Sequence, residues 1–161
     1  MSHLLRVSRE SLDQTVAEIR AAGAGEVEAA VFWLGSLGTL EVDVIVRPSG
    51  LEVEQDPLAL RISERWMVRL AETCERLDRI VLGAVHSHPE AAFFSYVDAD
   101  GFFHAPDCIS VVLPSYGNTT VESARTDWGL YVGLPGNRWR PGRWDEDLMV
   151  AGPDARVLVL E

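Results

Sequence analysis

The feature that most restricts how this chain can fold is an apolar run over residues 79–84 that leads into a pair of histidines. A run of this length, rich in β-branched residues, is typical of a strand that is buried on both faces. Pro89 ends the strand because proline has no amide hydrogen to donate to a neighbouring strand. Since side chains alternate along a strand, His86 and His88 lie on one face and Ser87 on the other. The sequence therefore predicts a buried strand that presents two imidazoles on one side of its end.

The histidine pair and a nearby carboxylate have the composition of a zinc site. Two imidazoles on one face of a strand can reach the same ion, and Asp98 supplies a candidate third ligand. A tight turn from Ser95 to Asp98 would bring both of their side chains to the same side of the chain. Two nitrogens and one oxygen leave a fourth position open, which is typical of a catalytic rather than a structural zinc site. Cys74 and Cys108 form no CxxC pattern, so a metal site in this chain is expected to use histidine and carboxylate.

The composition restricts the partners of the chain. Its formal net charge is −11, which argues against a nucleic-acid partner because affinity for nucleic acid depends on Lys and Arg side chains that neutralise phosphates. No apolar run approaches the length that spans a membrane, and the first six residues lack the apolar core and cleavage site of a signal peptide. We therefore expect a cytoplasmic protein without nucleic-acid or membrane partners. At 161 residues the chain fits one domain, residues 1–161, with an adequate core.

Periodicity and capping residues predict two helices and a series of strands. Ser11 with Gln14 matches a capping box and begins a helix that ends near Ala22, and Ser63 caps a second helix that runs to about Leu77. Apolar or alternating segments predict strands over residues 4–7, 28–35, 39–47, 79–88, 108–114, 129–133 and 156–160, the last without an identified neighbour. Residues 48–56 are predicted to form a polar, acidic loop. This order of elements indicates a mixed sheet with helices packed on it, in an α/β or α+β domain.

Three separate segments carry a resemblance to a known family. They are His86-Ser87-His88-Pro89, Ser95-Tyr96-Val97-Asp98, and Glu28 placed seven residues before Gly35. Together they resemble the JAMM (JAB1/MPN) metalloprotease family, and in particular small bacterial JAB-domain proteins that occur beside ubiquitin-like proteins and E1-like and E2-like enzymes. The similarity extends from the first helix to Trp139. It implies a single MPN/JAB-like domain in which helices flank a mixed, curved β-sheet, with cytidine-deaminase-like layering.

The resemblance also implies a role for each residue of these segments. One Zn²⁺ per chain would be held by His86, His88 and Asp98. Glu28 would be the general base and acid, and Ser95 would donate to the scissile oxygen or orient the water. A bound Zn²⁺ lowers the pKa of its water towards roughly 7, and a nearby carboxylate can move the released proton to the leaving amine.

The implied activity is that of a zinc-dependent isopeptidase or peptidase that cleaves after the C-terminal glycine of a bacterial ubiquitin-like protein, in deconjugation or in precursor processing. E1-like and E2-like enzymes are candidate partners. Two further functions are compatible with the sequence: a zinc hydrolase that trims a ubiquitin-like sulfur carrier in a biosynthetic pathway, and a metal-free MPN scaffold. The scaffold is disfavoured because each position that binds the metal in the family carries a residue able to bind metal in this chain. The chain has no HExxH or PCxxC motif that would indicate another class of zinc enzyme.

Other residues around these segments have two interpretations each. Five residues separate the proline of the histidine motif from Ser95, where eukaryotic members of the family have six, so Asp100 is the alternative third ligand. His3 and His104 are predicted to be surface residues rather than ligands. Core packing is favoured over a substrate groove for the phenylalanines that flank the site, Phe93, Phe94, Phe102 and Phe103. The basic and aromatic residues 138–144 are interpreted as a hairpin end with stacked arginines, in preference to a docking surface.

Overall fold

The computed structural model describes residues 4–92 and 103–161. Its strands in chain order are β1 (Leu5–Val7), β2 (Ala30–Gly35), β3 (Val42–Pro48), β4 (Val53–Gln55), β5 (Leu60–Ile62), β6 (Ile80–Ser87), β7 (Ile109–Leu113), β8 (Gly129–Leu134), β9 (Arg138–Pro141), β10 (Leu148–Val150) and β11 (Arg156–Leu160). Its helices are α1 (Arg9–Ala22), α2 (Glu64–Leu77) and the short α3 (Ala124–Asp127), with 3₁₀ turns at Ser115–Gly117 and Val121–Ser123.

Seven of the described strands form one mixed sheet in the order β11-β3-β2-β6-β7-β8-β9. β6 lies in its middle, antiparallel to β2 and parallel to β7, so both edges of β6 are paired. β11 adds in parallel to the outer side of β3, and this is the neighbour that the sequence pattern does not identify. The pairs β1–β10 and β4–β5 form two further two-stranded sheets. The strand that carries the histidine pair is therefore central and fully paired, as its apolar run predicts.

One of the two long helices packs on each face of the large sheet, and the alternation of side chains along β2 shows this arrangement. Val31 and Trp33 join the core that contains the buried face of α1. Phe32 joins the core on the other face, where Trp66 of α2 packs against it with ring centroids 5.4 Å apart. The predicted fold class, a mixed sheet flanked by helices, is confirmed. Among the described residues, no helix combines the length and the apolar character needed to cross a membrane.

Two local predictions are wrong, and a third is confirmed. Helix α1 is capped by Ser8, whose hydroxyl accepts the Ser11 amide at 3.0 Å, while the buried Ser11 hydroxyl accepts the amide of Ala155 at 2.8 Å. The segment predicted to be a loop contains β4, which pairs with β5 in a hairpin whose strands have only three residues each, too few for apolar alternation to indicate a strand. Ser63 caps α2 as predicted, because its hydroxyl accepts the Trp66 amide at 3.2 Å.

Candidate functional site

The end of β6 carries two buried histidines. His86 is 2% exposed and His88 is 4% exposed, although imidazoles are usually found in partial contact with solvent. The main chain remains paired beyond the last residue of the strand, because the His88 amide donates to the carbonyl of Leu113 in β7 at 2.9 Å. Hydrogen bonds to neighbouring strands therefore hold the main chain of both histidines in place.

The two imidazole rings lie beside each other, as the period of two along a strand predicts. Their centroids are 5.1 Å apart, and the ring planes are inclined by 57°. Zinc–imidazole bonds are about 2.0–2.1 Å long, so one nitrogen from each ring can reach a shared ion at this separation. The arrangement of His86 and His88 fits a metal ion.

Glu28 reaches the histidines through the pairing of β2 with β6. In this antiparallel pair Ala30 lies opposite His86. The Ser87 amide donates to the Ala29 carbonyl at 3.0 Å, which extends the same register by one residue. One further step places Glu28 opposite His88, on the face of the sheet that both histidines share. Glu28 is only 7% exposed, so the structure brings a buried carboxylate to the histidine pair.

Hydrogen bonds hold the main chain on both sides of Glu28. The Ala29 amide donates to the Ser87 hydroxyl at 3.0 Å. The Glu28 amide donates to the carbonyl of Asp56 at 3.0 Å, and the Glu28 carbonyl accepts the side-chain amide of Gln55 at 2.9 Å. Asp56 and Gln55 lie at the tip of the β4–β5 hairpin. Hydrogen bonds thus attach the segment that contains Glu28 to the histidine strand on one side and to this hairpin on the other.

Ser95, Asp98 and Asp100 lie outside the described residues, as do Phe93, Phe94, Phe102 and His3. The third zinc ligand and the hydroxyl donor thus remain predictions. Within residues 4–92 and 103–161, no group of three or more His, Cys, Asp and Glu side chains is close enough to hold a metal ion. The described part of the chain supplies two of the three predicted ligands, together with the predicted base.

The cysteines take no part in this site. Cys108 is buried where the chain enters β7, and its sulfur lies 3.4 Å from the carbonyl of Val81 at the opposite end of β6 from the histidines. Burial, reinforced by the nearby carboxylate of Asp107, raises the pKa of the Cys108 thiol to about 12. A thiol that stays protonated at neutral pH is a poor zinc ligand and a poor nucleophile. Burial also raises the pKa of the Cys74 thiol.

The chain beyond β7 contributes a tyrosine that the sequence analysis missed. Tyr116 donates its amide to the carbonyl of His88 at 2.8 Å, and its hydroxyl donates to the carbonyl of Pro57 at 2.9 Å. Desolvation raises the pKa of this phenol, and four carboxylates raise it further, those of Glu26, Glu28, Asp56 and Glu90. These four carboxylates make the surroundings of Tyr116 acidic. Pro114 and Gly117 signal a turn in the sequence, but nothing local indicates that the turn returns to the histidines.

The other described residues singled out in the sequence have partners elsewhere in the fold. Phe103 packs edge-on against Phe32 at 5.9 Å, in the core beneath α2, as core packing predicts. The His104 ring lies edge-on to Trp139 at 4.8 Å, and its Nε2 is 3.0 Å from the carbonyl of Arg138. His104 is therefore attached to β9 rather than to the histidine pair.

The basic segment after β8 is engaged in contacts within the chain. Arg140 makes a bidentate pair with Asp147, at 2.7 and 3.0 Å. Arg125 pairs with Asp145 in the same manner and lies over the ring of Trp144, 5.4 Å from its centroid. Arg140 is paired within the chain as a hairpin-end residue would be, but the arginine stacked on Trp144 comes from α3, outside residues 138–144.

The fold and the site together define a mixed α+β domain in which the central strand of the sheet ends in a buried histidine pair, with a glutamate opposite. Neither a protein-family model nor a curated protein sequence matches this chain. Several solved structures are similar to it. The solution structure of a protein from Desulfitobacterium hafniense has a TM-score of 0.62 at 13% identity and covers 99% of this chain and 94% of its own. A protein from Salinibacter ruber has a TM-score of 0.59 at 19% identity, with coverages of 94% and 95%.

The similar structures also include a JAB1/MPN domain protein from Archaeoglobus fulgidus, with a TM-score of 0.48 at 15% identity and coverages of 81% of this chain and 90% of its own. The two structures with TM-scores of 0.62 and 0.59 are less than 20% identical to this chain, so their similarity shows the fold alone. The chemistry of this chain is therefore argued from its own residues.

Proposed function

We propose that this chain is a JAMM-type zinc isopeptidase or peptidase that cleaves after the C-terminal glycine of a ubiquitin-like protein. The observation that carries the proposal is the pair of buried, adjacent imidazoles of His86 and His88, with the buried Glu28 opposite them in the register of β2 and β6. Burying three ionisable side chains side by side is costly unless their polar atoms are used. Two imidazoles and a non-ligating glutamate are a combination that zinc hydrolases use.

Each residue has a distinct task in the proposed reaction. His86 and His88 would hold the ion together with Asp98. When bound, Zn²⁺ would supply Lewis acidity and lower the pKa of a water molecule towards neutrality. Glu28 would take a proton from the water whose oxygen attacks the scissile carbonyl carbon, and would return it to the nitrogen of the amine that leaves. Ser95 donates a hydrogen bond to the scissile carbonyl oxygen as that oxygen gains negative charge.

A glycine-terminated tail suits this site for steric and electrostatic reasons. The histidines are buried at a strand end, so the scissile bond is expected to approach in an extended, narrow segment. Glycine lets the backbone come close without a side-chain clash. The carboxylates around Tyr116 and the net charge of −11 favour a modifier with a basic face. The association rate is therefore expected to fall as salt is added.

The test uses a bacterial ubiquitin-like protein, fused through its Gly-Gly to a reporter, with mass spectrometry of the products. We expect cleavage immediately after the second glycine by the zinc-loaded protein. Glu28→Gln should keep zinc and fold but lose most turnover, because an amide cannot accept the proton. Glu72→Gln is the matched control, since it makes the same change at an exposed position of α2, and it should retain most turnover.

Different results point to different functions. Cleavage at another bond, undiminished cleavage when the second glycine is made bulky, or full activity of Glu28→Gln would refute the proposal. Removal of residues after the Gly-Gly of a free sulfur-carrier precursor, without cleavage of a conjugate, would instead support the trimming hydrolase. A wild-type protein that binds no zinc would support the scaffold.

A further inference from the structure

The turn after β7 has an unusual backbone. Ser115 and Tyr116 both adopt the left-handed conformation, with φ of 53° and 54°, and Gly117 follows at φ +84°. Residues with a Cβ atom rarely adopt this conformation singly, and two in succession are rarer. Such backbone persists only where the surrounding structure holds it, and it concentrates at functional sites.

Contacts on three sides hold this turn. The Ser115 amide donates to the Glu90 carbonyl at 3.0 Å, and the Tyr116 amide donates to the His88 carbonyl at 2.8 Å. Gly117 lies so close to α1 that a Cβ atom at this position would be 2.9 Å from Cγ2 of Ile19. The backbone of Tyr116 is therefore tied directly to one of the proposed zinc ligands.

The side chain of Tyr116 points from this turn to the tip of the β4–β5 hairpin. Its hydroxyl donates to the carbonyl of Pro57 at 2.9 Å. The carbonyl of Asp56, the preceding residue, accepts the amide of Glu28 at 3.0 Å. On the other side of the tip, Gln55 donates to the carbonyl of Glu28 at 2.9 Å and to that of Ala22 at 3.0 Å. A continuous series of short contacts thus runs from His88 through Tyr116 and the hairpin tip to Glu28.

We propose that Tyr116 is a positioning residue that holds the hairpin tip, and through it Glu28, in place beside His86 and His88. The hairpin itself is two strands of three residues, which are marginal without a further attachment. Tyr116 supplies an attachment on the side of the histidines. The catalytic consequence rests on the proposed function, whereas the effect on the backbone of Glu28 does not.

The experiment compares wild-type protein with Tyr116→Phe, which removes the hydroxyl and leaves the ring. The first measurement is amide hydrogen exchange of Glu28, whose amide is bonded to the hairpin tip. We expect exchange to accelerate roughly two- to fivefold, because the hairpin tip loses one of the hydrogen bonds that hold it. Amides of α2 should be unaffected. The second measurement is steady-state kinetics of the zinc-loaded protein, in which kcat should fall several-fold while KM and zinc content stay constant.

Thr73→Val is the matched control, because the Thr73 hydroxyl also donates to a main-chain carbonyl, that of Arg69 at 2.8 Å in α2. This control should change neither the exchange of the Glu28 amide nor kcat. Unchanged exchange of the Glu28 amide in Tyr116→Phe would overturn the proposal, and so would a rise in KM alone, which would mean that Tyr116 binds substrate. If the wild-type protein binds no zinc and cleaves nothing, the proposed function fails, and the exchange measurement alone decides whether Tyr116 positions Glu28.

Discussion

Replacing Ser87 by alanine tests how the Glu28 segment is attached to the histidine strand. Ser87 is fully buried, and its hydroxyl accepts the amide of Ala29, which is 1% exposed. In Ser87→Ala this amide would remain in the protein interior without its partner. Leaving a buried donor unsatisfied costs about 1–3 kcal/mol, because the amide loses its hydrogen bond to water on folding and gains none. The atom removed is a single oxygen, so the cavity adds little. We therefore expect Ser87→Ala to lower the free energy of unfolding by about 1–3 kcal/mol.

The neighbouring strand provides a matched control. Ser110 of β7 is 1% exposed, and its hydroxyl has no hydrogen-bond partner in the part of the chain that the structure describes. Ser110→Ala makes the same chemical change at an equally buried site, but it breaks no hydrogen bond to any described residue and removes a buried polar group. Its free energy of unfolding should be equal to that of the wild type or higher.

Equilibrium unfolding in urea, followed by tryptophan fluorescence, measures both effects as shifts of the midpoint at constant slope. The reasoning would be refuted if Ser87→Ala and Ser110→Ala destabilised the protein equally. A loss below about 0.5 kcal/mol in Ser87→Ala, the usual range for a surface substitution, would also refute it.

Three further outcomes are predicted, the first from the proposed function and the other two from the structure. The double variant His86→Ala with His88→Ala should reduce the zinc content of a chelator-free preparation from about one per chain to near zero, measured by elemental analysis; an unchanged content would mean that the metal lies elsewhere. Cys108, whose pKa is raised to about 12, should resist alkylation at neutral pH until the protein is unfolded, and rapid labelling of the native protein would contradict its burial. The Arg140 guanidinium lowers the pKa of Asp147 in the folded state, so this carboxylate stabilises the fold above its unfolded pKa of about 3.9 and loses that contribution as the pH falls further. The urea midpoint of Asp147→Asn should therefore change less below that pH than the midpoint of the wild type, and equal changes would refute the assignment.

The elements that can be predicted from the sequence are those whose causes lie within a few residues. Helix α2 begins where Ser63 supplies an N-cap, and its buried residues recur at helical spacing. The run that becomes β6 is apolar on both faces because it is covered on both faces, and the period of two along a strand places His86 and His88 side by side. The sequence therefore determines that a buried histidine pair stands at a strand end, and its motifs indicate which carboxylate and hydroxyl to expect nearby.

The local sequence pattern could not identify the partners of elements whose contacts lie far away in the chain. Ser8 and Ser11 both have a side chain that can cap a helix. Ser8 is the cap, because the Ser11 hydroxyl accepts the amide of Ala155, more than a hundred residues away. In the same way β11 reads as a strand, but its parallel pairing with β3 depends on a contact between residues more than a hundred positions apart. Hydrogen-bond donors and acceptors on the backbone are alike at every residue, so the sequence near a strand does not specify its neighbour.

The surroundings of Glu28 were decided by the tertiary structure alone. A single glutamate before a strand is conspicuous only through the family resemblance, and the register of β2 against β6, continued by the Ser87 amide bonded to the Ala29 carbonyl, places it opposite His88. Gln55 holds the Glu28 carbonyl from a short hairpin, and Tyr116 holds the tip of that hairpin from a turn with left-handed backbone; neither segment has a long apolar period that would reveal it. The strand that carries the histidines could be recognised because burial on both faces leaves an apolar run in the sequence, whereas the groups that hold Glu28 in place interact through single hydrogen bonds across the fold, which leave no such pattern.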